Sequence, residues 1–208
     1  MSLSSPSRRN LMRSAAPVVG LLVAGLLVWQ GSNAAFTATT TSPNNAWTAG
    51  TVALDNNSNA GNFAVTGAAT FSVSNIKPGD TLTRCVTVRS TGSVAGGGRF
   101  YATNVTGALA PRINITVDSA SATVTAGVSS VPANCTGIGT TTAVLPSTAL
   151  GSLPASYLAA ANSWTLTGTT GEARVYRITY DFVSTGNNVT DNTFQGTTAG
   201  ATFNWEVQ

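Results

Sequence analysis

Apolar and polar residues alternate along much of the chain, most cleanly over residues 200–207. There Ala201, Phe203, Trp205 and Val207 take one face, while Thr202, Asn204 and Glu206 take the other. A period of two marks a half-buried strand. The same reading predicts a strand over residues 172–183, with Tyr176, Ile178, Tyr180 and Phe182 on one side. It predicts others over 99–106 and over 112–117, the latter with Ile113, Ile115 and Val117 in phase. In residues 81–91, Leu82, Val86 and Val88 oppose Thr83, Cys85, Thr87 and Arg89. Residues 69–75 read as a strand with Phe71 and Val73 together. A further strand carries Trp47, Val52 and Leu54 around Gly50, and Asp55, Asn56, Asn57, Ser58 and Asn59 are expected to end it.

Between these runs lie turn signals. In Asn75-Ile76-Lys77-Pro78-Gly79-Asp80, proline presets φ at the first central position and glycine accepts the positive φ that a type II turn needs at the second. Residues 92–98 are glycine-rich and read as a loop; no helix pattern follows to make them a phosphate cradle. Residues 154–162, with Pro154 near the first turn, are the expected helix. Residues 119–150 read as a short strand around Val124 and a long loop tied down by Cys135. Eight or nine short strands, many turns and one short helix predict an all-β fold. An antiparallel β-sandwich is expected, with a jelly roll as the leading topology.

The front of the chain follows a different pattern. A basic head (Arg8, Arg9, Arg13) precedes an apolar run of 15 residues from Ala15 to Trp29, and the small residues Ser32, Asn33 and Ala34 follow, with Ala35 behind them. That is an export signal with a small-x-small cleavage site. A membrane span needs about 20 predominantly apolar residues, so no permanent anchor is expected. Cutting after Ala34 divides the chain into a removed leader, 1–34, and one domain, 35–208; 208 residues less 34 leaves 174. Two routes stay open, because Ser7-Arg8-Arg9-Asn10-Leu11 resembles a twin-arginine signal as well as an ordinary secretory head.

Removing the leader changes the charge. The leader holds three of the ten basic residues and no acid, so the rest carries seven of each sign and is nearly neutral. None of those seven bases adjoins another, which argues against nucleic acid as a partner. Few charges also mean little repulsion between copies. Cys85 and Cys135 are expected to form a disulfide in an oxidising exterior, worth roughly 3–4 kcal/mol in the loop-entropy picture. Cys85 is out of phase with the apolar stripe, so the bridge should pin a loop to the sheet.

The chain has no histidine, which removes the usual base of serine and cysteine nucleophiles and the H-E-x-x-H zinc motif. No cofactor, metal site or catalytic residue is expected. Paired-acid glycosidase chemistry needs no histidine, but the seven carboxylates are not spaced as a pair. Asp181 is expected to pair with Arg177 on a strand face, Asp80 to serve its turn and Asp118 to end a strand. Residues 55–59 have the first half of a calcium loop but lack its glycine and its final glutamate, Thr66 standing there instead. The Asx-rich turn over 186–192 is similar. Trp164 with Tyr157 could form a stacking platform for a glycan, whereas Trp47 and Trp205 are in phase for the core.

Four stretches resemble one family. They are Ala35-Phe36 behind a small-residue junction, the strand Trp47–Leu54, Val73-Ser74-Asn75-Ile76-Lys77-Pro78-Gly79-Asp80-Thr81, and Phe194-Gln195-Gly196 ahead of Phe203-Asn204-Trp205-Glu206-Val207-Gln208. In that order they are similar to the TasA/camelysin family of bacterial matrix proteins, closely from Trp29 to about Ser93 and again from Thr193 onward. The turn Asn75, Lys77, Pro78, Gly79, Asp80 is the most specific part. The resemblance implies a secreted jelly roll that assembles into extracellular or cell-surface fibres. Its partners would be other copies of the chain, a dedicated SipW-type signal peptidase and an accessory matrix protein. The segment freed by cleavage would pair into the next subunit; here that donor is Ala35, Phe36, Thr37, Ala38, Thr39, Thr40 and Thr41. An uncharged β-prone terminus meeting an open sheet edge does the same on physical grounds. The alternative is a terminus that frays or folds back on its own sheet. The metallopeptidase activity attached to camelysin is not carried over to a chain without histidine. A monomeric binding module for cell-wall or extracellular glycan remains the alternative function.

Overall fold

The computed structural model describes residues 50–59 and 61–208. All of the elements below lie in one compact unit that ends at Gln208. The leader, its cleavage site (Ser32, Ala34, Ala35), the donor segment 35–41 and Trp47 lie outside the described residues.

Among the described residues eleven strands are formed: β1 (Leu54–Asn59), β2 (Asn62–Ala64), β3 (Thr81–Ser90), β4 (Gly96–Thr106), β5 (Ile113–Ala122), β6 (Val124–Thr125), β7 (Val128–Ser129), β8 (Thr142–Ala149), β9 (Asn162–Leu166), β10 (Ala173–Phe182) and β11 (Gly200–Val207). Among the described residues one short α-helix, α1 (Asn188–Asn192), precedes β11. A six-stranded sheet runs β2-β1-β3-β10-β5-β8, and a three-stranded sheet runs β11-β4-β9. Their paired strands are antiparallel. The fold is an all-β antiparallel sandwich. A jelly roll, eight strands wound as two Greek keys, is not established by this strand order alone.

The central strand shows why the sheets close on each other. β10 pairs β3 from Ala173↔Arg89 to Asp181↔Thr81, and β5 from Ala173↔Ala122 to Phe182↔Ile113. Its even-numbered residues Tyr176, Ile178, Tyr180 and Phe182 are buried against Phe100, Leu166 and Val207 of the smaller sheet. Burying each such side chain is worth roughly 1.5–3 kcal/mol, so alternation alone drives the packing. Tyr176 lies at the centre, its ring 6.5 Å from Phe100 and 5.7 Å from Trp205. Its hydroxyl is paired with Ser163 Oγ at 2.9 Å.

The odd-numbered face of β10 turns away from that core. There Val175, Cys85 and Ala120 are buried under residues 123–141 through Val131, with Cys135 and Ile138 beside them. Cys85 and Cys135 are bonded, their Cα atoms 5.2 Å apart. The expectation that the bridge pins a loop to the outer sheet face holds.

Five local expectations are corrected. Residues 55–59 do not end a strand; they are most of β1, because their side chains bond across to β3. Residues 69–75 form no strand. Residues 96–98 belong to β4 rather than to a loop, because a β-carbon on Gly98 would sit only 3.3 Å from Trp164 Cβ, so bare backbone suits that approach. Residues 154–161 form no helix, since Arg99 Nη1 donates to the carbonyls of Tyr157 (2.9 Å) and Ala160 (3.0 Å). The helix is instead in the Asx-rich turn, where Asn187 Oδ1 caps α1 by accepting from the amides of Val189 and Thr190.

Candidate functional site

A sheet edge exposes unpaired amides and carbonyls, and proteins blunt such edges with short strands, bulges or proline. Three of the four edges of the sandwich are treated in this way. β2 has three residues. β8 carries Pro146, and its pairing with β5 is irregular at two points. β9 has five residues and a register shift beside Arg99. The fourth edge, β11, is eight residues long and pairs only with β4, with one register shift between Gly200 and Thr202 and regular pairing from there to Val207; among the described residues no strand takes its other side.

That open side borders a groove. Two adjoining hollows of about 590 and 1110 Å³ run along β11, sharing Asn56, Gly67, Thr202, Phe203 and Trp205. The smaller lies between β11 and residues 52–56; the larger lies between β11 and residues 67–78 and reaches the core at Ile115, Tyr180 and Phe182. Val52, Val65 and Val73 leave apolar side chains exposed on its walls. Trp205 lines both hollows, and its buried indole N–H has no acceptor among the described residues. A buried indole N–H normally finds one.

The sole charge on β11, Glu206, is already engaged. Tyr101 donates its hydroxyl to Glu206 Oε2 at 2.6 Å and Gln208 donates to Oε1 at 2.6 Å. These bonds, Tyr101's first, hold the Glu206 carboxyl below its ordinary range. The same bond to Glu206, more than burial, raises the Tyr101 phenol. Glu206 is therefore ionised at the edge, its carboxylate hydrogen-bonded by two neutral donors.

The motif turn is structural and borders the groove. Gly79 has φ +93 and Asp80 N–H donates to the Lys77 carbonyl at 3.0 Å, as the proline–glycine pair predicts. Asp80 Oδ2 accepts from the Lys77 amide at 2.9 Å, and Gly79 N–H donates to the Phe182 carbonyl at 2.7 Å, fastening the turn to the end of β10. Asn75 itself sits at φ +56, a conformation asparagine tolerates.

The other sequence candidates do not assemble into sites. Arg177 pairs with Asp118 at 2.6 Å, not with Asp181, because Asp118 is mid-strand in β5 and directly opposite. The calcium-like oxygens of residues 55–58 have protein partners. Asp55 binds Arg89, Asn56 Oδ1 accepts from Ser58, and Asn57 Oδ1 accepts from Thr87 N–H at 2.7 Å. In the second Asx-rich stretch Asp191 accepts from Thr185 and Ser184, in that order of effect, and its carboxyl is held below the usual range. Among the described residues no three metal-ligating side chains come together. Trp164 is buried at 8% exposure in β9 and cannot stack on a sugar, and the guanidinium of Arg99 covers the Tyr157 ring at 4.4 Å.

Among the described residues no helix is long and apolar enough to cross a membrane. No protein-family model matches the chain, and no curated protein matches it significantly.

Proposed function

We propose that this chain is a secreted structural protein that polymerises outside the cell, each copy lending a strand to the groove of another. One observation supports the reading: among the described residues β11 is an unpaired edge, regular from Thr202 to Val207, and it borders an apolar groove lined by Trp205, whose indole N–H has no acceptor among those residues. A strand laid along β11 would pair its free amides and carbonyls, cover the apolar walls and offer a carbonyl to the indole. The donor is residues 35–41, which are uncharged, rich in threonine and freed when the leader is cut after Ala34. The resemblance to the TasA/camelysin matrix proteins supports the same assignment, with a SipW-type peptidase as processing enzyme and an accessory matrix protein as further partner. A mature chain that would be near-neutral once residues 1–34 are removed, and a formed disulfide, suit association in an oxidising exterior. On this reading the protein performs no catalysis.

Electron microscopy of the purified mature chain tests the proposal. Fibres are expected, and they should disappear when residues 35–41 are deleted. Polymerisation that survives the deletion removes the donor; a persistent monomer of the full mature chain removes the structural role.

A further inference from the structure

We infer that the outer face of the three-stranded sheet is a binding site for a neutral glycan chain, built on Tyr101 between Arg99 and Glu206. The site is independent of the groove and of polymerisation. On β4 and β11, Arg99, Tyr101, Thr103, Thr202, Asn204 and Glu206 alternate with the residues packed into the core and so face outward. Arg99 and Glu206 are direct cross-strand neighbours of opposite charge on that face, an arrangement that favours an ion pair. Among the described residues they form none. Arg99 donates from Nη1 to the carbonyls of Tyr157 and Ala160, with its guanidinium 4.4 Å from the centre of the Tyr157 ring. Glu206 accepts from Tyr101 and Gln208. Neutral groups thus hold each charge and keep it from the other.

Bonding capacity is left over on both sides. Arg99 Nη2 makes no hydrogen bond among the described residues and, unlike Nε, is not fully buried. A carboxylate offers about four lone-pair sites, and Glu206 uses two. Asn204 donates from Nδ2 to Thr103 Oγ1 (3.0 Å) and to the Thr202 carbonyl (3.1 Å), which leaves its Oδ1 without a donor among the described residues. The Tyr101 hydroxyl reaches Glu206, two residues beyond Asn204, its own partner across the ladder, so the ring lies over the sheet instead of standing off it. These parts fit the neighbouring hydroxyls of a pyranose. One hydroxyl donates to the carboxylate while the next accepts from Nη2, both charge-assisted bonds, and the sugar's C–H face meets the negative face of the phenol. One cation and one anion leave the face neutral, and residues 119–171, which supply the adjoining β9 and Tyr157, hold no charged side chain. A polyanion finds no excess of cations there. Because the side chains are already tied down, binding orders little.

Titration calorimetry of the purified mature chain against cellohexaose, laminarihexaose, maltohexaose and chitohexaose tests this, with heparin as the charged comparison. At least one neutral sugar should bind with a Kd of about 1 mM or tighter. Binding to none of the four, or tighter binding to heparin than to any of them, would overturn the assignment. Glu206→Gln and Tyr101→Ala, each checked for folding by its melting temperature, should weaken the sugar about tenfold. An unchanged Kd in both would place the sugar elsewhere and sink the site. Ala201→Lys, which alters the groove and not this sheet face, should bind as the parent does; loss of binding there would also sink it. Sugar binding by a chain that never polymerises would keep this site and remove the structural role. Fibres that bind no sugar would do the reverse.

Discussion

Arg89 grips Asp55 across the β1–β3 ladder with both Nε and Nη2, and the same guanidinium sits 4.4 Å from the centre of the Phe63 ring. One side chain thereby joins β1, β2 and β3. The hydrogen bond to Asp55 also raises the arginine's pKa, keeping it charged at any working pH. β1 needs this support, because asparagine and aspartate are poor strand formers. Arg89→Lys keeps the charge but loses the fork and the ring contact. It should cost about 1–2 kcal/mol in urea unfolding at neutral pH, whereas Arg84→Lys should cost much less.

Replacing both Cys85 and Cys135 by alanine should lower stability by about 4 kcal/mol in the loop-entropy picture, for a loop of 50 residues. The melting temperature should fall by about 10 °C. The main core lies on the other face of the sheet, so near-ultraviolet circular dichroism of Tyr176 and Trp205 should persist below the new midpoint.

Acid should act through Glu206. Its folded pKa lies below the ordinary 4.5, so the stabilisation is present above that value and is lost as pH falls through the folded value. Tyr101→Phe should move the Glu206 carboxyl back toward 4.5 in an NMR titration and flatten stability against pH in that window.

Alkali should act through Tyr176, whose phenol burial pushes up to about 12. A phenol raised in the folded state stabilises fully below its ordinary value of 10 and loses that contribution as pH climbs toward 12. Absorbance titration should show a phenol ionising near 12, and Tyr176→Phe should abolish that step.

Ala201 is exposed and lines the larger hollow. Ala201→Lys places a charge at the free edge, the device by which natural sheets refuse partners. Polymerisation followed by light scattering should be lost, while the monomer's melting temperature stays within about 2 °C.

The long strands were legible because one face of each is buried, so that β3, β10 and β11 were placed within a residue or two by alternation alone. The disulfide's outward placement followed from the same phase. β1 was not legible, since its pairing is secured by side-chain bonds from Asp55 and Asn57 to residues 30 or more positions away. β9 was hidden for a related reason: Trp164 is buried only because glycines on β4 let it approach. The helix expected over 154–162 had the right composition, but Arg99 takes the carbonyls it would have used. The groove left no local trace. Which strand lacks a neighbour is a property of the whole fold, and β11 reads the same whether one edge is paired or two.

The Cys85–Cys135 bridge encloses β4, the strand on which β11 hangs. A filament pulled end to end would load its subunits in series, and a subunit that gave way could pay out only the chain outside that covalent ring. The sequence separation of 50 between the cysteines would withhold roughly 165–180 Å of contour length. In such a filament the bridge would limit how far each link could stretch, from the face of the six-stranded sheet turned away from the main core.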